Sequence, residues 1–138
     1  MPLEIAPIGY VRSTLKNRKN APRQGTDGAP DAWLDIDSAF IECIDGLAPG
    51  IDIWILTWLH ETKRDVMKVR PGGDPDTPLT GVFATRSPDR PNPIGLHCTK
   101  ILAIENGLRI HVEALEAIDG TPVVDIKPVL HRNGDGGL

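Results

Sequence analysis

Residues 96–115, "LHCTKILAIENGLRIHVEAL", carry the strongest fold signal in this chain of 138 residues. Two largely apolar runs flank the dipeptide Asn106-Gly107. Asn-Gly favours the tight turn between two antiparallel strands, because both residues tolerate the positive φ angles that this turn requires. The stretch therefore predicts a β-hairpin.

Apolar runs elsewhere in the chain predict further strands. "LEIAPIGYVRS" predicts a strand that ends near Arg12, and "AWLDID" (32–37) alternates as a half-buried strand does. The continuous run "IDIWILTWL" (51–59) predicts a strand buried on both faces. Short strands are also expected in "LTGVFAT" and "PVVDIKPVL".

One short helix is expected between the second and third of these strands. Ser38 is placed to cap it, with Phe40, Ile41, Ile44 and Leu47 along one side. The sum is six or seven strands, one or two short helices and two long polar loops, with thirteen prolines and fourteen glycines available for turns. No strand–helix alternation suggests a parallel sheet. We therefore predict a mainly β fold, a single closed or nearly closed β-barrel domain over residues 1–138.

Composition limits the classes of function. The net charge of −4 argues against a purely electrostatic nucleic-acid binder, so any RNA contact must be local or shared with a partner. Cys43 and Cys98 lie far apart in apolar surroundings, which predicts two reduced, buried thiols in a cytoplasm. The longest apolar stretch, "IWILTWL", is too short to cross a bilayer, and no signal peptide is visible.

The stretch "ATRSPDRPNPIG" (84–95) combines rigidity with charge. Its three prolines fix their own φ angles and restrict the residues before them, so Arg86 and Arg90 are held on a stiff path. A preorganised guanidinium suits a carboxylate or a phosphate, because it meets two oxygens at once. The alternative is a rigid solvent loop with Arg–Asp pairs. The absence of core-forming residues in "SPDRPNP" favours a functional role only slightly.

Other polar positions are weaker candidates. His60 and Glu61 follow the apolar run and are expected at the rim of the barrel. His60 would act there as a base or a hydrogen-bond donor. The alternative is a histidine that only hydrogen-bonds to a backbone group. In "DGTPVVDIKP" (119–128), Asp119-Gly120 predicts a turn, and Asp125 with Lys127 is either a surface ion pair or part of a site. The histidines lack metal-ligand spacing, so we expect no metal.

Two longer motifs resemble the TrmO family, also called TsaA-like or YaeB-like proteins. These are "GVFATRSPDRPNPIGL" (81–96) and "DGTPVVDIKP" (119–128). "IGYVRS" (8–13), "PRQ" (22–24) and "WLH" (58–60) follow the family order, so the resemblance spans roughly residues 5–130. It implies a TsaA-like β-barrel, S-adenosylmethionine as cofactor near the interface of a homodimer, and methylation of N6 of threonylcarbamoyladenosine at position 37 of tRNA.

The resemblance also implies a set of site residues. The family's cofactor contacts fall here on Pro22, Arg23, Gln24, His60, Glu61, Arg86, Leu96, Asp119, Gly120, Thr121 and Pro122. Arg86 or Arg23 would bind the cofactor carboxylate, and Asp119 would face its positive charge. Arg90 and Asn92 are expected to contact substrate. The candidate bases are His60 and Asp125.

The chain departs from longer bacterial members, and alternatives stay open. No additional C-terminal domain is expected after the last motif, although "RSTLKNRKNAPR" (12–23) would still offer phosphate contacts. His97 stands where a small polar residue is more usual, either altering the pocket or facing solvent. The same cofactor site would also suit a methyltransferase acting on a small molecule or another RNA, or a non-catalytic S-adenosylmethionine-binding module.

Overall fold

The computed structural model describes residues 2–22 and 28–130. Its main feature is one antiparallel sheet of six strands. They are β1 (Gly9–Arg12), β2 (Ala32–Ile36), β3 (Asp52–Trp58), β6 (Ile94–Glu105), β7 (Arg109–Val112) and β8 (Pro122–Pro128). Their order in the sheet is β1-β2-β7-β6-β3-β8. Because β1 pairs with both β2 and β8, the sheet closes into a ring. The mainly β class expected from the sequence is confirmed.

The predicted hairpin is confirmed. Asn106 and Gly107 have φ angles of 54° and 70°, and the N–H of Leu108 donates to the carbonyl of Glu105 at 3.1 Å. Two positive φ angles in succession give the turn the twist of its flanking strands. The turn therefore sets the pairing of β6 with β7.

The third strand is not buried on both faces, so that prediction is wrong. Ile53, Ile55 and Thr57 are fully buried, whereas Trp54 and Trp58 on the other face are only half-buried. A strand in a closed ring turns only one face to the interior. The outward face of β3 is nevertheless apolar, which is the property that gave the sequence its continuous apolar run.

The core lies inside the ring and receives side chains from all six strands. They are Val11, Leu34, Ile53, Ile55, Ile101, Ile110, Val112 and Val123, all at most 1% exposed. Leu115, in the segment after β7, is equally buried. Well-packed strands leave the connecting loops as the natural carriers of function.

The helices are short and of the 3-10 type in the described part of the chain. They span Arg18–Asn20, Ser38–Ile44, Pro71–Gly73 and Val82–Ala84. Asp37, not Ser38, caps the second, since its carboxylate accepts from the N–H of Ala39 at 2.9 Å. Ile41 is 47% exposed, contrary to the expected apolar side.

Two further predictions about local structure need correction. "LTGVFAT" contributes only a two-residue strand, β5 (Thr80–Gly81), which pairs with β4 (Lys68–Val69) and leads directly into a helical turn. Cys43 and Cys98 are free but exposed rather than buried. Partial burial nevertheless raises the pKa of the Cys98 thiol, and the Asp52 carboxylate adds to this shift.

In residues 2–22 and 28–130, none of the helices has the length and apolar character needed to span a bilayer. Within the same residues, no three His, Cys, Asp or Glu side chains gather closely enough to hold a metal ion.

Candidate functional site

A cleft of about 1480 Å³ opens beside the adjoining ends of β3 and β6. This exceeds the roughly 300–1,000 Å³ typical of small-molecule sites, so there is room for a small molecule and part of a second ligand. Its walls are the residues after β3, the loop 83–92, the first half of β6 and the segment 116–118. The predicted site residues that line it are Pro22, His60, Glu61, Arg86, Arg90, Asn92, Leu96 and Thr121.

Asp89 fixes the loop that forms one wall of the cleft. Arg18 donates to both of its carboxylate oxygens, at 3.0 and 2.9 Å, and the N–H of Lys63 donates at 2.9 Å. The hydrogen bond from Arg18 is the main reason why the pKa of Asp89 lies below its usual value, and burial opposes that shift. One carboxylate thus joins three separate segments of the chain.

Arg90 also acts inside the loop. Its guanidinium donates to the carbonyls of Val82, Thr85 and Ser87 at 2.9, 3.0 and 3.1 Å. The loop folds around the Arg90 side chain, which brings these three carbonyls to one guanidinium. Carbonyl groups removed from water need hydrogen-bond donors, and Arg90 supplies them. Arg90 therefore shapes the loop, and the substrate contact expected for it stays a prediction.

Asn92 is similarly engaged. Its side-chain oxygen accepts from Nη2 of Arg64 at 2.8 Å, while Nε of Arg64 donates to the carbonyl of Pro91 at 2.7 Å. The same guanidinium lies over the ring of Trp58, 5.1 Å from its centroid. Asn92 lines the cleft, but its acceptor already has a partner.

Arg86 differs from both neighbours. The backbone around it is fixed, because the Thr85 hydroxyl donates to the carbonyl of Val82 at 3.0 Å and accepts from the N–H of Ser87 at 3.1 Å. Its own side chain is exposed and lines the cleft. Within residues 2–22 and 28–130 its guanidinium makes no hydrogen bond or ion pair. It is free to meet an anionic group.

His60 and Glu61 lie just beyond the end of β3. Both are exposed and line the cleft, and neither side chain has a hydrogen-bonding partner among the described residues. Leu96, on β6, adds a 41% exposed apolar surface. Pro22 also reaches the cleft, whereas the predicted contacts Arg23 and Gln24 lie outside the described residues.

The turn at residues 119–122 mostly faces away from the cleft. Asp119 accepts from the N–H of Ser13 at 3.0 Å and pairs with Lys16 at 3.2 Å. The hydrogen bond from Ser13 is the main cause of the lowered pKa of Asp119, and burial opposes it. Gly120, with φ of 83°, donates to the carbonyl of Val11 at 2.7 Å. The turn fastens the end of β1.

Three residues of this segment, Asp119, Gly120 and Pro122, are not among those that line the cleft, and their cofactor contacts stay predictions. Thr121 lines it, but this residue is 1% exposed and its hydroxyl donates to the carbonyl of Ile118 at 2.7 Å.

Asp125 is not placed to act as a base in the cleft. It forms an ion pair with Lys127 at 3.2 Å, with both side chains about half exposed, and it does not line the cleft. The surface ion pair considered for these two residues is what the structure contains. His60 is the candidate base that the structure brings to the cleft.

A buried polar network was missed by sequence reasoning. Oγ1 of Thr57 lies 2.7 Å from Nε2 of His97, and Nδ1 of His97 lies 2.5 Å from Oε1 of Glu116. His97 is 5% exposed and lines the cleft, so of the two alternatives for this residue, facing solvent is wrong. Gly95 leaves the space, because a Cβ there would come within 2.3 Å of the Thr57 hydroxyl. The even spacing of residues 95, 97 and 99 along one strand was the available signal.

Residues 10–133 match the family described as the tRNA-methyltransferase O N-terminal domain, and the chain belongs to this family. The particular relatives include an S-adenosyl-L-methionine-binding protein of Archaeoglobus fulgidus. It is 44% identical over 126 residues, which cover 89% of this chain and 86% of that protein.

Solved structures of TrmO proteins are also similar to this chain. TrmO from Pseudomonas aeruginosa superposes with a TM-score of 0.74 at 30% identity, covering all of this chain and 64% of that one. Another TrmO structure gives 0.74 at 34% identity, covering 97% of this chain and 64% of that one. The chain thus spans slightly under two thirds of these solved TrmO chains.

Proposed function

We propose that this protein binds S-adenosylmethionine in the cleft and methylates N6 of threonylcarbamoyladenosine at position 37 of tRNA. Family membership supports the class of reaction, and the A. fulgidus relative is named for binding this cofactor. The observation that carries the proposal is Arg86, whose guanidinium lies in a large cleft on a fixed backbone and has no partner among residues 2–22 and 28–130.

The lining of the cleft suits the cofactor. S-adenosylmethionine presents a carboxylate, which Arg86 would bind through two parallel hydrogen bonds. Leu59, Ile94 and Leu96 provide an apolar wall against which its adenine or its methionine chain would pack. The bound cofactor supplies an activated methyl group for direct displacement. The protein's part is mainly to hold the acceptor nitrogen in line with the methyl group.

A proton must leave the acceptor nitrogen during this reaction. We propose His60 as the residue that accepts it, because its imidazole lines the cleft without a described partner. Imidazole is a common general base because its pKa lies close to neutral pH. Asp125 is not proposed again, since it pairs with Lys127 away from the cleft.

tRNA contacts in this model come from the rim of the cleft. The segment 12–23 offers fewer free cations than its composition suggests, because Arg12, Lys16 and Arg18 pair with carboxylates of the chain. Lys63 and Lys68 are exposed in the segment that follows β3, and each is next in sequence to a residue that lines the cleft, Thr62 and Val69. If these lysines bind phosphates, tRNA affinity will fall steeply with added salt.

A homodimer would cover the apolar outer surface beside the cleft. Ile94 and Leu96 are 45% and 41% exposed, and Phe83 is 86% exposed. Trp54 and Trp58 extend this surface across β3. A contiguous apolar surface of this kind often marks an interaction site. We propose a second copy of the chain as its partner, a single barrel domain over residues 1–138 for each copy, and a cytoplasmic location.

The test is methylation of tRNA that lacks this modification. Purified protein is incubated with the cofactor and such tRNA, and the nucleosides are analysed by mass spectrometry. The proposal expects threonylcarbamoyladenosine to gain one methyl group. Methylation of a different nucleoside would overturn the proposed substrate. Cofactor binding without methylation of any RNA or small molecule would instead identify a binding module.

A further inference from the structure

Three carboxylates line the cleft within the described residues: Glu61, Asp89 and Glu116. Arg18 neutralises Asp89 through two hydrogen bonds, and Glu61 is exposed at the rim. The side chain of Glu116 is 14% exposed and is held by a buried histidine. It is the one among the three that combines an inner position with a fixed geometry.

The network behind Glu116 sets its orientation. An ionised carboxylate can only accept, so Nδ1 of His97 donates its proton to Oε1. In the neutral ring, Nε2 then accepts the hydroxyl proton of Thr57. Thr57 is fully buried, and Gly95 leaves no side chain between it and the imidazole. Glu116 is therefore tethered from the core side.

The second oxygen of Glu116 remains available. Oε2 has no hydrogen-bonding partner among the described residues, and Glu116 lines the cleft with 14% of its side chain exposed. A carboxylate held on one oxygen with the other accessible is suited to receive a positive group.

We propose that Glu116 faces the positive sulfonium centre of bound S-adenosylmethionine and makes the cleft prefer this cofactor to S-adenosylhomocysteine. This inference rests on the proposed function. The two ligands carry the same carboxylate, ammonium and adenosine groups, and they differ in the methyl group and its positive charge. When the methyl carbon leaves, the bonding electron pair stays on sulfur and the charge is lost. Glu116 would then favour release of the product.

Glu116 is better placed for this role than Asp119, for which it was expected. Both oxygens of Asp119 already have partners, in Ser13 and Lys16, and the residue does not line the cleft. His97 and Thr57 are positioning residues in this scheme, because they act only through Glu116. Neither needs to touch the ligand.

The experiment is a pair of calorimetric titrations, one with S-adenosylmethionine and one with S-adenosylhomocysteine, on the wild-type protein and Glu116→Gln. The ratio of the two dissociation constants is the readout. Since one charge is removed beside another, we expect the preference for the methylated ligand to fall about tenfold in Glu116→Gln. Affinity for S-adenosylhomocysteine should change by less than about threefold. Glu113→Gln, an exposed carboxylate three residues earlier that does not line the cleft, is the matched control and should keep the wild-type ratio.

The results separate this inference from the proposed function. Equal losses of both ligands, or an unchanged ratio, would overturn the role of Glu116 while leaving the cofactor site in place. A wild-type protein that binds neither ligand would overturn the cofactor site itself. Circular dichroism and thermal unfolding show whether each variant is folded.

A second variant tests the tether independently. His97→Leu removes both ring nitrogens, so the carboxylate of Glu116 keeps its charge but loses the donor that fixes its position. We expect the ligand preference to fall by about threefold, less than in Glu116→Gln. A wild-type ratio in folded His97→Leu would overturn the positioning role of the network.

Discussion

The loop at residues 85–92 and the turn at residues 119–122 have similar compositions, but their charged side chains make different contacts. Both combine charged residues with proline or glycine, and both are expected to bind the cofactor. In the loop, the guanidinium of Arg86 lines the cleft and has no partner among the described residues. In the turn, both oxygens of Asp119 are used by the first segment of the chain. The two motifs therefore differ in how far their charges are already paired within the described chain.

The charged residues of the loop make different kinds of contact. Asp89 ties it to neighbouring segments, and Arg90 satisfies its carbonyls. These internal contacts hold the backbone that presents Arg86. Two of the three charged groups in "RSPDR" (86–90) therefore stabilise the loop, and the third, Arg86, has no partner among the described residues.

Arg90→Ala should have the largest effect on stability. It leaves three carbonyls without their guanidinium donor, so we expect a loss of about 3 kcal/mol in the free energy of unfolding. Cofactor affinity should fall as well, since the loop loses its shape. Denaturant unfolding and calorimetry measure the two effects. Wild-type stability would show that the loop does not depend on Arg90.

Arg86→Ala should separate binding from stability. Because Arg86 is exposed and has no partner among the described residues, stability should stay within about 0.5 kcal/mol of wild type. Affinity for S-adenosylmethionine should fall at least about tenfold, equivalent to about 1.4 kcal/mol. Lys68→Ala, another exposed cation, serves as the control. Unchanged affinity in Arg86→Ala would remove this residue from the site.

Gly120→Ala should show the opposite pattern. The positive φ of 83° disfavours any residue with a side chain, although the space around it is open. We expect a loss of about 1 kcal/mol in unfolding free energy and no change in cofactor affinity. Urea denaturation with a parallel ligand titration measures both. A strong loss of affinity in a folded variant would place the turn in the site after all.

Asp119→Asn should have the smallest effect, and it should depend on pH. The pKa of Asp119 in the folded protein lies below its value of 3.8 in the unfolded chain. Its stabilising contribution is therefore full above pH 3.8 and is lost as pH falls through the folded pKa. We expect a difference from wild type of about 0.5 kcal/mol at neutral pH that shrinks in acid. Thermal unfolding across pH checks it, and a difference that grows in acid would contradict it.

What the sequence could predict was mainly local. Asn106-Gly107 fixed the hairpin because the φ preferences of two adjacent residues decide the turn. Burial on both faces of β3 was predicted wrongly because the run of apolar letters does not distinguish a core face from an apolar outer face. Arg86 and His60 were predicted as site residues from sequence motifs, and both line the cleft.

What the sequence could not predict depends on distant pairings. Asp119 and Ser13 are 106 residues apart, and their contact follows from the end of β1 meeting the turn before β8. Glu116 has no local signal, because its partner lies 19 residues away on β6. Such contacts decide whether a charged side chain is paired within the chain or left for a ligand. The amino-acid sequence alone does not distinguish these two cases.

Mapping the cofactor site by nuclear magnetic resonance tests the central claim most directly. S-adenosylmethionine is added to isotope-labelled protein, and backbone amide shifts are compared between the loop 85–92 and the turn 119–122. We predict the largest changes in the loop and at Gly95 and Leu96, with small changes at Asp119 and Gly120. Changes concentrated in the turn, with the loop unaffected, would contradict the placement of the cofactor in the cleft.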